Sequence, residues 1–241
     1  MFTASPSQDD IQTALRSFLL TILPPGTDVV EGQDNRVPEP QPDDFVVFWP
    51  LYRPRLSTNI DTSGDVKFTG SIAGQVLTVT DVQRGVVALG SFLFGQDIIF
   101  PTRIISFGTG SGGLGTYNLD VSQTITEETM SSGQTSAMQP TEIIMQLDVH
   151  GPNSVQNAQV ISTLFRDGYG VQWFTDFAPN IMVLYADDSK QVPFNNAEDQ
   201  VENRWVIEAH LQANITVASP QQYADAIDVT LINVEATYPV S

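Results

Sequence analysis

Cysteine is absent from the 241-residue chain. With it go disulfides, thiolate nucleophiles and sulfur-based zinc sites. Histidine is nearly absent too: His150 and His210 are far apart in sequence and leave little material for His-based catalysis or transition-metal binding. Cations are scarce. Ten Lys and Arg stand against 28 Asp and Glu, a formal net charge of −18. Such a surface repels phosphate, and nucleic-acid binding leans on Lys and Arg, so a DNA-binding role is disfavoured. A like-charged wall suits DNA that passes without sticking; acidity that serves only solubility explains the balance equally well. No apolar run approaches the roughly 18 residues of a membrane helix. The opening Met1-Phe2-Thr3-Ala4-Ser5-Pro6 has neither the basic nor the apolar region of a secretory signal. The expectation is a soluble chain made in the cytoplasm.

What is present reads as two kinds of sequence. The first helix is signalled by Ser7 as cap with Asp10 three positions on. Ile11, Leu15, Phe18 and Ile22 make one apolar stripe, and Pro24-Pro25 stops it. A short strand is expected over 27–31. The prolines at 38, 40 and 42 force an extended path through 32–42. A strongly apolar strand follows at 45–49, with a continuation past Pro50 towards Leu56. Further on, 142–150 reads as a strand and 153–166 as a helix with Val155, Ala158, Ile161 and Phe165 on one face. Gly168-Tyr169-Gly170 is expected to end that helix. Strands are expected at 181–186 and 205–217, the latter with polar alternation at Glu208, His210, Gln212 and Asn214. A helical turn opening at Ser219-Pro220 and a strand at 228–238 close the pattern.

Between Gly64 and Glu128 the composition changes: 11 of the 17 glycines fall there. Short β-rich runs at 66–68, 76–82, 86–88, 98–100, 103–107 and 116–121 alternate with glycine turns, and no helical period appears. The flanks, 59–63 and 127–139, are polar and read as loops. The expected organisation is a host domain from residues 1–62 and 130–241 with a small all-β domain, 63–129, inserted into it. The expected fold class is α+β, a mostly antiparallel sheet with two main helices on one face, plus that insert.

Chemical motifs are weak. Gly108-x-Gly110-x-x-Gly113 matches a dinucleotide fingerprint in form, but the strand-like Thr116-Tyr117-Asn118-Leu119 follows where a helix N-terminus is needed. A glycine turn is the better reading. Asp187, Asp188, Glu198, Asp199 and Glu202 form an acidic cluster without the spacing of a calcium loop, and read as a solvated face. His150 and His210 have no Ser or Asp partner at a telling spacing and read as structural or surface histidines. No catalytic residue, metal site or cofactor is expected.

Two stretches carry a resemblance. The opening helix with Gly32-Gln33-Asp34-Asn35-Arg36-Val37-Pro38-Glu39-Pro40, together with Val201-Glu202-Asn203-Arg204-Trp205, resembles the neck or tail terminator proteins of tailed bacteriophages. The glycine-rich stretch, including Phe68-Thr69-Gly70-Ser71-Ile72-Ala73-Gly74, is similar to a β module grafted onto various phage structural proteins. The resemblance implies a non-enzymatic virion subunit at the tail–neck junction, forming a homo-oligomeric ring, usually a hexamer. Such a ring caps the tail tube and meets the head-side connector, and the sheath where the tail is contractile. DNA passes through it unbound, and no membrane is involved. A collar or connector protein on the head side, or a host-surface or carbohydrate binder acting through the β insert, are the rival readings. In a ring, Gln33, Asn35, Arg36, Arg53, Arg55 and Arg204 are the candidate interface residues. Arg–carboxylate pairs between subunits would offset self-repulsion; pairing within each subunit is the alternative. Asp187, Asp188, Glu198, Asp199 and Glu202 are candidates to line an acidic lumen.

Overall fold

A computed structural model of the chain describes residues 3–33, 43–192, 194–195 and 201–222. Its elements are β1 (Ala4–Ser5), α1 (Gln8–Ile22), β2 (Asp28–Glu31), β3 (Phe45–Tyr52), β4 (Ile60–Arg84), β5 (Phe92–Phe94), β6 (Ile104–Phe107) and β7 (Gly115–His150). There follow α2 (Ser154–Phe165), α3 (Gly168–Phe177), β8 (Ile181–Ala186), β9 (Lys190–Gln191), β10 (Phe194–Asn195), β11 (Val201–Glu202) and β12 (Arg204–Pro220).

The α+β expectation is overturned. Among the described residues 54% are strand and 18% helix, with three helices and one large mixed sheet. Two physical causes account for the difference. First, the polar and glycine-containing stretches read as loops are extended strand. Residues 127–139 lie inside the 36-residue β7, and most of 59–63 lies inside the 25-residue β4. Thr and Ser satisfy a paired strand as well as they satisfy a turn. Second, Gly168-Tyr169-Gly170 opens a helix instead of ending one. Asp167 caps α3, its side chain accepting from the Tyr169 amide at 2.9 Å. Gly170 is required there by space, because a Cβ would stand 2.6 Å from the Leu164 carbonyl oxygen. Smaller corrections follow the same line: 86–88 and 98–100 are not strands. Ser219 and Pro220 finish β12 rather than opening a helical turn. The strand expected at 228–238 lies outside the described residues.

The chain divides into two compact units. Unit 1 comprises the described residues of Met1–Thr62 and Ser136–Ser219; unit 2 comprises Ser63–Thr135 and the described residues of Pro220–Ser241.

In unit 1 the strand order is β1-β12-β7-β3-β2. β2 and β3 are parallel, while β3–β7, β12–β8, β12–β9 and β1–β12 are antiparallel. Alternation along the strands sends Ile143, Met145, Leu147 and Val149 of β7, and Ile207, Ala209, Leu211 and Ala213 of β12, into the core shared with the helices. The capping box of α1 forms as its sequence predicts: Asp10 N donates to Ser7 Oγ at 3.1 Å and Ser7 N to Asp10 Oδ2 at 2.8 Å. Phe18 stands at the centre of this core, 5.7 Å from the Phe165 ring, 5.4 Å from Trp173 and 5.3 Å from Phe174.

Unit 2 has no helix among its described residues. β4 folds back on itself. A straight strand would separate Asp65 and Arg84 by about 60 Å, yet they form an ion pair, and Thr80 Oγ1 donates to the Thr69 carbonyl at 3.2 Å. The reversal falls at Gly74, whose φ of 65° suits glycine. β5 and β6 pair antiparallel with β7. Val66, Phe68, Ile72, Leu77, Leu93, Ile104, Tyr117 and Leu119 fill a separate core.

Candidate functional site

The same alternation that fills the unit 1 core places a second set of side chains on the opposite sheet face. From β7 these are Glu142, Gln146, Asp148 and His150; from β12 they are Arg204, Glu208, His210, Gln212 and Asn214. A sheet face that pairs polar groups in this way is where the fold concentrates its chemistry.

Two networks occupy it. Asp148 is 3% exposed, so its charge needs compensation. Oδ2 pairs with the Arg204 guanidinium, and Oδ1 accepts from Gln146 Nε2 at 2.8 Å. The second network is centred on His210, which is 6% exposed. Its Nδ1 lies 2.7 Å from Glu142 Oε1. Tyr185, its neighbour in register on β8, stacks on the imidazole with centroids 4.1 Å apart and planes 15° from parallel. Desolvation, then the charges of Glu142 and Asp187, push the Tyr185 hydroxyl above its usual range. Asp187 follows β8, its amide donating to the Glu208 carbonyl at 2.8 Å. His150 stacks on Phe45 at 4.6 Å.

The candidate lumen residues do not form one cluster among the described residues. Asp187 sits beside Glu208 and His210, whereas Asp188 is nearly fully exposed and faces Arg166 at 3.5 Å. Glu198 and Asp199 lie outside the described residues, as does the side chain of Glu202. Of the candidate interface residues, Gln33 is exposed with a φ of 63°, and Arg53 is exposed. Arg55 Nη2 donates to Asn59 Oδ1 at 2.6 Å and to Gln139 Oε1 at 2.8 Å. Arg204 is held by Asp148. Asn35 and Arg36 lie outside the described residues. The glycine fingerprint is a loop closed on a buried tyrosine: Tyr117 Oη donates to the Gly113 carbonyl at 2.6 Å and accepts from the Gly112 amide at 3.0 Å, and strand follows.

A protein-family model described as phage neck terminator protein matches residues 102–237, more than half of the chain. The chain belongs to that family. The match takes in β6, β7, α2, α3 and β8 to β12, and so covers every residue of both polar networks. Membership in the neck terminator family makes this a structural phage protein of the neck and tail, associated with other neck and tail proteins. No helix among the described residues is long and apolar enough to cross a membrane. No curated protein matches the chain. Glu142, Gln146, Asp148 and Tyr185 are the site residues that sequence reasoning passed over. The signal for three of them was legible, since they alternate with Ile143, Met145, Leu147 and Val149.

Proposed function

We propose that this neck terminator family member is a non-enzymatic ring subunit, six to a ring, that ends the tail tube and joins it to the head-side connector. The family match over residues 102–237 carries this reading. The net charge of −18 supports it, because an acidic wall repels passing DNA. In the ring, Gln33, Asn35, Arg36, Arg53, Arg55 and Arg204 lie towards neighbouring subunits or partners. Asp187, Asp188, Glu198, Asp199 and Glu202 lie towards the lumen. The segment 63–129 is an inserted domain in a host formed by 1–62 and 130–241, and the ring forms without it.

Mass photometry of the pure chain is the first test. Particles of about six chain masses support the reading; monomers at all concentrations overturn it. Arg36→Ala is expected to weaken assembly, and rings that form as well as before would remove Arg36 from the interface. One observation favours a second role for unit 2. Phe100 and Phe107 are both exposed there, and exposed rings suit stacking on a host-surface glycan.

A further inference from the structure

We propose that Asp187, Glu208 and His210 bind one divalent transition-metal ion, through His210 Nε2 and one carboxylate oxygen from each acid. One ligand atom from each of the three residues lies within 4.8 Å of the other two. Proximity of acids is common on protein surfaces, so the case rests on the histidine. His210 is more than nine-tenths buried, and its Nε2 is a buried polar atom with no hydrogen-bond partner among the described residues. A buried group in that condition is costly and calls for a partner.

The surroundings fit the partner to a metal. Glu142 Oε1, 2.7 Å from Nδ1, favours the tautomer with the proton on Nδ1. That leaves the lone pair on Nε2, as in a carboxylate–histidine–metal relay. Tyr185 stacks on the ring at 4.1 Å and fixes its plane. The three ligands sit on paired backbone. Glu208 and His210 are two apart on β12, and the Asp187 amide is bound to the Glu208 carbonyl at 2.8 Å. Bonds of ~2.0 Å to a tetrahedral ion place ligand atoms about 3.3 Å apart. The half-buried Asp187 and Glu208 side chains have room to close to that spacing. An imidazole with two carboxylates selects zinc, manganese or iron over magnesium and calcium, which prefer oxygen alone. Two carboxylates, with Glu142 behind the ring, supply the negative charge that a dication neutralises.

The proposal does not depend on ring formation, and neither does its test. The full chain, untagged and stripped with chelator, is titrated with zinc by calorimetry. One saturable equivalent per chain is expected, undisturbed by excess magnesium or calcium. Asp187→Asn and Glu208→Gln are each expected to abolish that binding while keeping the parent circular dichroism. Asp188→Asn keeps the binding, and Glu142→Gln weakens it by about 10–100-fold. Absence of saturable zinc binding by the parent chain overturns the assignment, as does parent-level binding by either Asp187→Asn or Glu208→Gln.

Discussion

Unit 1 and unit 2 bury their apolar residues by different means. In unit 1 three helices contribute Ile11, Leu15, Phe18, Ile161, Phe165 and Phe174 to a core with one sheet face, which leaves the other face for polar side chains. In unit 2 strands and loops supply the whole core among the described residues, and glycine permits the turns and close approaches. The difference teaches where function can reside. With the helices packed on one sheet face, the other face holds ion pairs and a histidine site, several of whose side chains are buried; unit 2 instead spends its polar groups on closing loops, as Tyr117 and Gln123 do.

The tryptophans make this comparison measurable, because Trp49, Trp173 and Trp205 all belong to unit 1. The largest effect is expected from Phe18→Ala, which empties the centre of the aromatic cluster. It should cost about 3–5 kcal/mol, read as a lower urea midpoint in tryptophan fluorescence. Amide exchange over residues 63–135 should change far less; equal loss in both units would show that the two cores act as one. Next comes Arg204→Ala, which strands the buried Asp148 carboxylate. It should cost ~2 kcal/mol in the same assay, a figure below that of a fully buried pair because Arg204 is partly exposed. Tyr117→Phe removes one hydroxyl that both donates and accepts. A cost of about 1–2 kcal/mol is expected, seen as faster amide exchange in the 108–115 loop with the tryptophan transition unmoved.

The smallest effect belongs to Ser7→Ala at the start of α1, about 1 kcal/mol by thermal unfolding. It carries a pH signature. Hydrogen bonds from the Ser7 backbone amide and then its hydroxyl hold the Asp10 carboxyl below its usual range. A lowered folded pKa adds stability above the unfolded value near 4 and loses it as pH falls through the folded value. The gap between parent and Ser7→Ala should therefore narrow below about pH 4.

The legible parts of the fold were those with local causes. The α1 capping box needs only Ser7 and Asp10, and its stripe needs only helical period. The strands at 181–186 and 205–217 appear close to their expected bounds because the first is a short apolar run and the second alternates apolar with polar residues. β7 was legible at its two ends, 116–121 and 142–150, but not between them. From Ser122 to Gln139 its residues are mostly polar, and only pairing with other strands fixes them as extended. α3 was hidden by two glycines whose reason is tertiary, the close approach of Gly170 to Leu164. The candidate site needed sheet order as well: Glu142 and His210 are 68 positions apart and meet only across paired strands. The family was legible too, though from a different part of the chain. Gln33 to Pro40 lies outside the matched span, while Val201 to Trp205 lies within it.

The most direct measurement of the central claim is an electron microscopy map of the assembled virion neck. This chain should appear there as a closed ring between the last layer of the tail tube and the head-side connector, with its centre open for DNA. Density for this chain only at the distal tail, or no copy of it in the virion, would contradict the account.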